Sequence, residues 1–336
     1  MSKRRKFFKK NILLWFVLTP VVVVAAVFFY VVCVRSTVLR PTVFNVVRGD
    51  SVTGVANRLV QNNLIYSKDA FVASVRFHGG KIQSGQYDIP RGASLWRITK
   101  MLVSGDVATT TVVVPEGLTV KQIKNLLLQH SGLTGEVECD SDKSRPVCNL
   151  QDGQIFPDTY RVARGASRLS VLELMRKKML DVRTHLSKAN SNLPKPLKNW
   201  DQVLTLASIV QKETPVAREM PIVASVYLNR LNKGMRLQAD PTVVYVLTDG
   251  LGDMQGQPLL RGHLKIDSPY NTYRNSGLPP APIANVGLAA LRAVLRPAKT
   301  KFLFFVADGQ GGHRFSIDYA EHQKNHNAWR KIKENK

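Results

Sequence analysis

The sequence predicts an α+β fold that follows one N-terminal transmembrane helix, and three observations carry this prediction. Residues 12–34 contain no charged side chain. A strand, a glycine turn and a helix recur three times between residues 46 and 127. Beyond them, short strands and helices alternate without the regular order of a doubly wound sheet. The 336 residues leave enough chain after the apolar segment for two domains of ordinary size.

The N-terminal segment has the pattern of an uncleaved signal anchor. Residues 1–11 carry six Lys or Arg and no acidic residue, which predicts a cytoplasmic tail. At about 1.5 Å per residue, a helix over 12–34 covers a hydrocarbon core of about 30 Å. The alternative is a cleaved secretory signal, but residues 31–35 make a poor cleavage site. The expected location is therefore the inner membrane, crossed once, with the remaining chain outside the cytoplasm.

The formal net charge of +24 restricts the partners that the protein can have. A basic protein invites a nucleic-acid interpretation, but predicted export and the lack of any zinc-finger, helix-turn-helix or RNP signature argue against it. Anionic lipid head groups and anionic wall polymers are the partners that the charge favours. The alternative is that the charge mainly keeps the protein soluble.

Two cysteines bound a polar loop in the exported part of the chain. Cys139 and Cys148 are close in sequence, and an oxidising compartment favours a disulfide between them over two free thiols. They are too few for a zinc site. His322 and His326 have i, i+4 spacing but no clear third ligand, so a solvated face is favoured. No metal or other cofactor is predicted.

Three segments share one pattern that predicts a strand, a glycine turn and a helix. In each, a Ser or Thr follows the glycine by two residues, and apolar residues come four and eight positions later. The shared positions are Gly49-Ser51-Val55-Leu59, Gly92-Ser94-Ile98-Leu102 and Gly117-Thr119-Ile123-Leu127. A Ser/Thr N-cap and an i, i+4 apolar stripe explain all of them, so the first meaning of the repeat is structural.

The first of these segments, FNVVRGDSVTGVANRL, also resembles the opening of a LysM module, a small βααβ fold that binds glycans. The resemblance implies a LysM-like α/β subdomain within a glycan-binding region at residues 43–130. A plain packing role is the alternative. Further along, the prolines and Trp200 of residues 193–200 predict a hinge.

The most informative stretch begins at Asp201, which we interpret as the cap of a helix. Continuing its apolar stripe leads to Glu213, and Pro215 disfavours helical geometry beyond that point. The stripe consists of Val203, Leu206, Ala207 and Val210. Burial and the negative end of the helix dipole both disfavour an ionised Glu213, so we expect its pKa to be raised. A protonated carboxyl group is what a glycosidic leaving oxygen requires. The alternative is an ion pair with Arg218 or Arg236.

A second helix is predicted from about Glu219 to Lys233, with Gly234 as its C-terminal stop. It is apolar nearly all round, which indicates burial. Asp240 and Pro241 then have the pattern of an N-cap followed by proline at the first helical position.

Several blocks in this part of the chain resemble the endolytic murein transglycosylases, the MltG or YceG-like family. The blocks are GQIFPDTYRVARG, LASIVQKET, VASVYLNRL, GMRLQADPTVVY, SPYNTYRNSGLPPAPIAN and FFVADGQGGHRFS. The resemblance implies an α+β catalytic domain over residues 131–334 that cleaves the β-1,4 bond from N-acetylmuramic acid to N-acetylglucosamine. It also implies that Glu213 is the catalytic residue. Family members often have Glu-Lys-Glu where this chain has Gln211-Lys212-Glu213, which leaves Glu213 as the remaining carboxylate.

The polar residues that could hold a glycan strand are Gln238, Asp240, Asn271, Tyr273 and His313. Asn271 and Tyr273 are in a Pro- and Gly-rich loop, a common place for binding groups. His313 follows a glycine-rich turn that predicts a hairpin. Asp240 serves either as a helix cap or as a ligand of the strand.

The leading hypothesis is a membrane-anchored lytic transglycosylase that acts within nascent peptidoglycan strands. Its expected partners are glycan strands, the membrane and peptidoglycan synthases of the penicillin-binding class. One alternative is a non-catalytic scaffold that only binds the cell wall. Another is a hydrolytic muramidase with Asp240 as its second carboxylate.

Overall fold

The computed structural model of the protein leaves most of the predicted anchor undescribed. The described residues are 22, 23, 26, 27, 29, 30, 35–139, 144–252, 254 and 256–334. The predicted tail 1–11 and most of 12–34 lie outside them. The prediction of a membrane-spanning helix is wrong, because no helix in the described part of the chain is both long and apolar enough to cross a membrane. The single-pass inner-membrane location rested on that helix and is corrected with it.

The longest described helix is long enough to cross a membrane but carries too many charged side chains to do so. It runs over Arg168–Ala189, and its 22 residues would span a hydrocarbon core by length alone. It carries both acidic and basic side chains along its whole length, namely Arg168, Glu173, Arg176, Lys177, Lys178, Asp181, Arg183 and Lys188. A charged residue at the centre of a membrane helix costs about 3 kcal/mol. This helix therefore belongs to the folded domain.

The described chain alternates short strands with helices, as the α+β prediction expects. The α-helices are α1 Val52–Gln61, α2 Lys68–Phe77, α3 Leu95–Ser104, α4 Val120–Gln129, α5 Arg168–Ala189, α6 Trp200–Glu213, α7 Met220–Asn232, α8 Asp240–Leu247, α9 Leu288–Leu295 and α10 Tyr319–Glu334. The strands are β1 Thr42–Val46, β2 Gly85–Ile89, β3 Thr109–Val113, β4 Leu133–Thr134, β5 Thr159–Ala163, β6 Ala166–Ser167, β7 Phe304–Ala307 and β8 His313–Ser316. Within the described residues the strands pair two by two, as β1–β2, β3–β5, β4–β6 and β7–β8.

The chain divides into two compact units. The N-terminal unit extends to Thr110 and includes Val162–Gly165, and the C-terminal unit comprises Thr111–Arg161 together with the chain from Ala166 onward. The functional boundaries expected at residues 43–130 and 131–334 stay a prediction. The expected hinge at 193–200 lies within the C-terminal unit and leads into α6.

The N-terminal unit has a βααβ arrangement at its start. Strands β1 and β2 pair antiparallel, from Thr42 opposite Ile89 to Val46 opposite Gly85, with α1 and α2 between them in sequence. The largest fully buried side chains of this unit include Phe71 and Tyr87. This is the element order that a LysM-like fold requires, while glycan binding by it stays a prediction.

The three repeated segments fold as the sequence predicts. Gly49, Gly92 and Gly117 all have left-handed backbone angles, with φ of 94°, 79° and 81°. The following Ser51, Ser94 and Thr119 are N-caps of α1, α3 and α4, and each side chain accepts a hydrogen bond from the backbone amide three residues later. The six apolar positions of the stripes are buried, namely Val55, Leu59, Ile98, Leu102, Ile123 and Leu127. The repeat therefore buries the apolar stripe of each of the three helices within its own unit.

The core of the C-terminal unit is built around α6, α7 and α9. All four predicted stripe positions of α6 are fully buried, and they are Val203, Leu206, Ala207 and Val210. Burying one such aliphatic side chain stabilises the fold by about 1.5–3 kcal/mol. Helix α7 is buried on most of its surface, as its sequence predicts. This packing holds the C-terminal end of α6 in a fixed place.

Candidate active site

Helix α6 ends at Glu213, as the apolar stripe and Pro215 predict. It begins two residues earlier than expected, because Asn199 rather than Asp201 is the N-cap and accepts a hydrogen bond from the amide of Gln202. After Glu213 the backbone of Thr214 is extended, with φ of −141° and ψ of 131°. The Glu213 side chain is therefore held at a helix end, partly buried, next to the elements that follow.

The partner of Glu213 is a phenol from the neighbouring helix. Tyr227 of α7 is buried, and its Oη donates a hydrogen bond of 2.6 Å to Glu213 Oε1. The Tyr227 ring packs edge-on against Phe305, with the ring centroids 5.9 Å apart. The expected alternative was an ion pair with an arginine, but Arg236 Nη1 donates to the backbone carbonyl of Tyr273 at 3.2 Å.

The surroundings of Glu213 stabilise its neutral form relative to that of an exposed glutamate. Burial raises the pKa of Glu213 to about 7, and the negative charge of Asp240 acts in the same direction. The hydrogen bond from Tyr227 and the positive charge of Arg230 oppose this shift in pKa. A carboxyl group whose pKa lies near neutral pH suits a general acid.

Arg230 places a buried positive charge near this carboxyl. Its Nε donates to the carbonyl of Leu303 at 2.7 Å, and its Nη1 donates to the carbonyl of Leu237 at 2.5 Å. The guanidinium also lies over the Phe304 ring, 5.4 Å from its centroid. Burial lowers the pKa of Arg230, and the nearby Tyr227 and Glu213 raise it in part. Arg230 thus joins α7 to the segments around it while its charge acts on Glu213.

Asp240 lies at the start of α8 and is not a helix cap. The N-cap is Ala239, and no side-chain cap hydrogen bond is made there, so the predicted capping role of Asp240 is wrong. Its Oδ1 instead accepts a hydrogen bond from Tyr273 Oη. The start of α8 is held by the loop that contains Thr272. The Thr272 Oγ1 accepts a hydrogen bond from the amide of Ala239 at 2.9 Å and lies 2.9 Å from Thr242 Oγ1.

The other expected binding residues have different surroundings. Asn271 is fully buried and its Nδ2 donates to the carbonyls of Leu264 and Ile266, so its amide shapes its own loop. His313 begins β8, and its Nδ1 lies 2.8 Å from Glu219 Oε2. Gln238 is exposed and has a left-handed backbone with φ of 49°. Substrate binding by each of them stays a prediction.

The hairpin that carries His313 is confirmed. Strands β7 and β8 pair antiparallel, with Ala307 opposite His313 at the turn and Phe304 opposite Ser316 at the far end. The His313 ring packs edge-on against Phe305, with the centroids 5.3 Å apart. His313 and Tyr227 therefore pack against the same phenylalanine ring, which connects the hairpin to the hydrogen-bond partner of Glu213.

Cys139 and Cys148 are joined by a disulfide. Cys148 lies within a 3₁₀ turn at Pro146–Asn149, where the neighbouring Val147 is buried. The disulfide therefore links Cys139 to this turn.

A second carboxyl group with a raised pKa lies in a separate cavity of about 440 Å³. Burial raises the pKa of Asp152, while hydrogen bonds from the amide of Val120 at 2.6 Å and from Tyr245 Oη at 2.8 Å oppose the shift. The Tyr245 ring lies 5.1 Å from that of Tyr270. Both Asp152 oxygens thus have partners within the protein, which distinguishes this residue from Glu213.

With this geometry in place, comparison with known proteins decides the family. A family model described as the YceG-like family matches residues 44–328. The chain belongs to the YceG-like family. An endolytic murein transglycosylase of Bacillus subtilis is 30% identical over 303 residues, which are 83% of this chain and 82% of that relative.

Two further relatives agree with this assignment. An endolytic murein transglycosylase of Streptococcus pneumoniae is 27% identical over 301 residues, and this chain spans about half of its length, with 53% covered. The crystal structure of a YceG-like protein from Listeria monocytogenes has a TM-score of 0.50 and 28% identity to this chain. That match covers 85% of this chain and 99% of the other.

Two of the blocks that carry the YceG-like resemblance, at residues 153–165 and 268–285, are joined by Asn285. This residue is fully buried, and its Oδ1 accepts from the amides of Gly153 and Ile155, both at 3.0 Å. Its Nδ2 donates to the carbonyl of Leu118 at 3.0 Å. The Asn285 side chain therefore binds two segments, at Leu118 and at Gly153–Ile155, that precede it by more than 100 residues in the sequence.

Gln211, two residues before Glu213, also has a structural partner. Its Oε1 accepts a hydrogen bond from the amide of Gly287 at 3.0 Å. A side-chain amide can make this bond without carrying a charge. Glu213 is consequently the carboxylate that this three-residue block retains.

Sequence reasoning missed Tyr227 and Arg230. Both belong to the helix that we interpreted only as a buried apolar element. The signal was a phenol and a guanidinium within a helix that is otherwise apolar, because a buried polar side chain needs a partner. Tyr227 finds it in Glu213, and Arg230 finds it in two backbone carbonyls.

Proposed function

We propose that this protein is a lytic transglycosylase that cleaves the β-1,4 bond from N-acetylmuramic acid to N-acetylglucosamine within peptidoglycan strands, and that Glu213 is its catalytic residue. The observation that carries the proposal is a single inward carboxyl group, at the end of α6, whose pKa is raised to about 7 by burial. The names of the Bacillus and Streptococcus relatives support the reaction class.

One carboxyl group suffices because the nucleophile belongs to the substrate. Glu213 gives its proton to the glycosidic oxygen, which leaves as the C4 hydroxyl of N-acetylglucosamine. The C6 hydroxyl of the muramic acid residue attacks its own C1, and its proton passes to the Glu213 carboxylate. A 1,6-anhydro ring forms, Glu213 regains its proton and no water is consumed. The attacking hydroxyl is tethered to the reacting sugar, which gives it a high effective concentration.

The residues around Glu213 suggest how a strand would be held. Asp240 and Tyr273 form a carboxylate–phenol pair at the surface next to Glu213, and Gln238 is exposed nearby in sequence. His313, paired with Glu219, and Asn271, within its loop, shape the surrounding segments. The βααβ arrangement in the N-terminal unit supports a further proposal, that residues 43–130 bind glycan.

Growing strands are the proposed substrate, and their cleavage would terminate or release them. Peptidoglycan synthases of the penicillin-binding class are therefore the proposed protein partners, because they produce the strand that this enzyme cuts.

The test is digestion of purified peptidoglycan followed by mass spectrometry of the fragments. We expect anhydro-ended fragments from the wild type and none from Glu213→Gln. Fragments with reducing ends and no anhydro ring would instead indicate a hydrolytic muramidase, for which Asp240 is the nearby second carboxylate. Binding to peptidoglycan without any fragments would indicate a scaffold protein.

A further inference from the structure

The two oxygens of the Glu213 carboxyl are not equivalent. Tyr227 Oη donates its one proton to Oε1 at 2.6 Å. The phenol cannot turn away easily, because Tyr227 is 1% exposed and its ring packs against Phe305. Oε1 is therefore held as a hydrogen-bond acceptor by a rigid neighbour.

Because Oε1 of Glu213 accepts a hydrogen bond, the acid proton of the neutral carboxyl group belongs on the other oxygen, Oε2. In a neutral carboxyl group the carbonyl oxygen accepts hydrogen bonds and the hydroxyl oxygen carries the proton. Since Oε1 accepts from Tyr227, the proton of neutral Glu213 is on Oε2. The geometry thus distinguishes a held oxygen from a reactive one.

We infer that Tyr227 is a positioning residue, which holds Oε1 of Glu213 and leaves Oε2 as the oxygen that gives and retakes the proton. This inference rests on the proposed transglycosylase function. Tyr227 does not touch the reacting atoms and keeps its own proton throughout, because burial and the adjacent Glu213 raise its pKa well above the ordinary value. Between the two proton transfers its hydrogen bond stabilises the carboxylate.

Other charged or titratable groups also act on Glu213. They are Arg230 on α7 and Asp240 at the start of α8, and Asp240 in turn accepts a hydrogen bond from Tyr273. Arg230 directs Nε and Nη1 to backbone carbonyls, and Tyr273 directs its hydroxyl to Asp240. Among the groups described around Glu213, Tyr227 is the one that makes a direct hydrogen bond to its carboxyl. Its removal should therefore have an effect that the loss of ring packing alone would not produce.

The experiment compares Tyr227→Phe with the wild type in the full chain. Carbon-13 NMR of labelled glutamate side chains, with the Glu213 signal assigned by its loss in Glu213→Gln, measures the titration midpoint directly. Phenylalanine keeps the ring and loses only the hydroxyl. We expect the midpoint to move up, because the lost hydrogen bond favoured the ionised form. We also expect kcat on peptidoglycan to fall about tenfold with KM unchanged.

A matched control and a second variant make the result specific. Tyr245→Phe removes a similar phenol–carboxyl hydrogen bond, to Asp152, and should leave the Glu213 midpoint in place. Incorporation of 3-fluorotyrosine at position 227 gives a more acidic phenol and a stronger donor, so the midpoint should move down.

The outcomes separate this inference from the proposed function. An unchanged Glu213 midpoint in Tyr227→Phe, in a protein with wild-type circular dichroism, overturns the role of Tyr227 while anhydro products from the wild type would still support the function. A midpoint that moves as expected in an enzyme without anhydro products supports the hydrogen-bond assignment and removes the reaction to which we attach it.

Discussion

The negative charge of Asp240, at the start of α8, raises the pKa of Glu213, at the end of α6. Burial has the larger effect in the same direction, and the resulting pKa of Glu213 is about 7. The Tyr273 hydroxyl donates a hydrogen bond to Oδ1 of Asp240. The pair therefore combines one carboxyl group that binds its proton more tightly than an exposed glutamate with a neighbour whose charge contributes to this.

The first prediction concerns the pH dependence of cleavage. The reaction starts from protonated Glu213, so activity should fall as pH rises through about 7, the pKa of that group. The measurement is kcat/KM for release of anhydro-ended fragments across the pH range, which reports on the free enzyme. An activity that keeps rising through this range would contradict the role of Glu213 as an acid.

The second prediction concerns Asp240→Asn. Removal of this negative charge lowers the pKa of Glu213, because a like charge no longer opposes its ionisation. Activity should therefore fall several-fold more at about pH 8 than at about pH 5.5. Fragment release at the two pH values gives the comparison.

Asp249→Asn is the matched control for that variant. Asp249 follows the other end of α8, is exposed and pairs with Lys121 at 2.6 Å. Loss of the Asp249 charge should change the activity by the same factor at both pH values. If Asp240→Asn also lowers the activity by the same factor at both pH values, then the charge of Asp240 does not act on the reaction through the pKa of Glu213.

The third prediction concerns stability, and its sign follows from the raised pKa. Glu213 has a pKa of 4.5 when unperturbed and about 7 in the folded protein, so the folded state binds its proton more tightly. This contribution is present below about pH 4.5 and is lost as pH rises through about 7. Glu213→Gln carries no titrating group, so it should become more stable than the wild type above pH 7, by about 3 kcal/mol at most.

Urea unfolding of both proteins at about pH 5 and pH 8 measures this difference. The Gln side chain can still accept the Tyr227 hydrogen bond, so the comparison isolates the ionisation. If the stability difference between the two proteins does not change with pH, then Glu213 is not held in an environment that disfavours its charge.

The inward position of Glu213 could be predicted because it continues the helical spacing of the apolar residues on α6. A stripe on α6 and a proline after it require only local sequence. The caps were less predictable. Asn199 replaces Asp201 as the cap of α6, and Asp240 is the first helical residue of α8 rather than its cap. Which residue is extended at a helix start depends on tertiary bonds, such as that from the amide of Ala239 to Thr272, which the local sequence does not reveal.

The partners of the polar side chains could not be predicted for the same reason. Tyr227 meets Glu213 because α6 and α7 pack together, and His313 meets Glu219 across 94 residues of sequence. Asn271 has the residue type of a ligand-binding group, yet its amide binds carbonyls of its own loop. The membrane helix predicted at residues 12–34 is a different case, because composition alone determined that prediction and the described residues contain no helix suited to cross a membrane.

The fourth prediction concerns Asn285, which joins the family blocks without contacting Glu213. Asn285→Ala leaves the buried amides of Gly153 and Ile155 without their side-chain acceptor, while the carbonyl of Leu118 keeps the bond from the backbone amide of residue 285 at 2.8 Å. Each unpaired buried group costs about 1–3 kcal/mol, so the loss should be at least about 2 kcal/mol and lower the urea midpoint markedly. Asn325→Ala, which removes one bond to Ser316 at a partly buried position, should lower it far less. Equal losses in the two variants would mean that this junction does not hold the segments around α6 together, and the fixed placement of Glu213 would then need another physical cause.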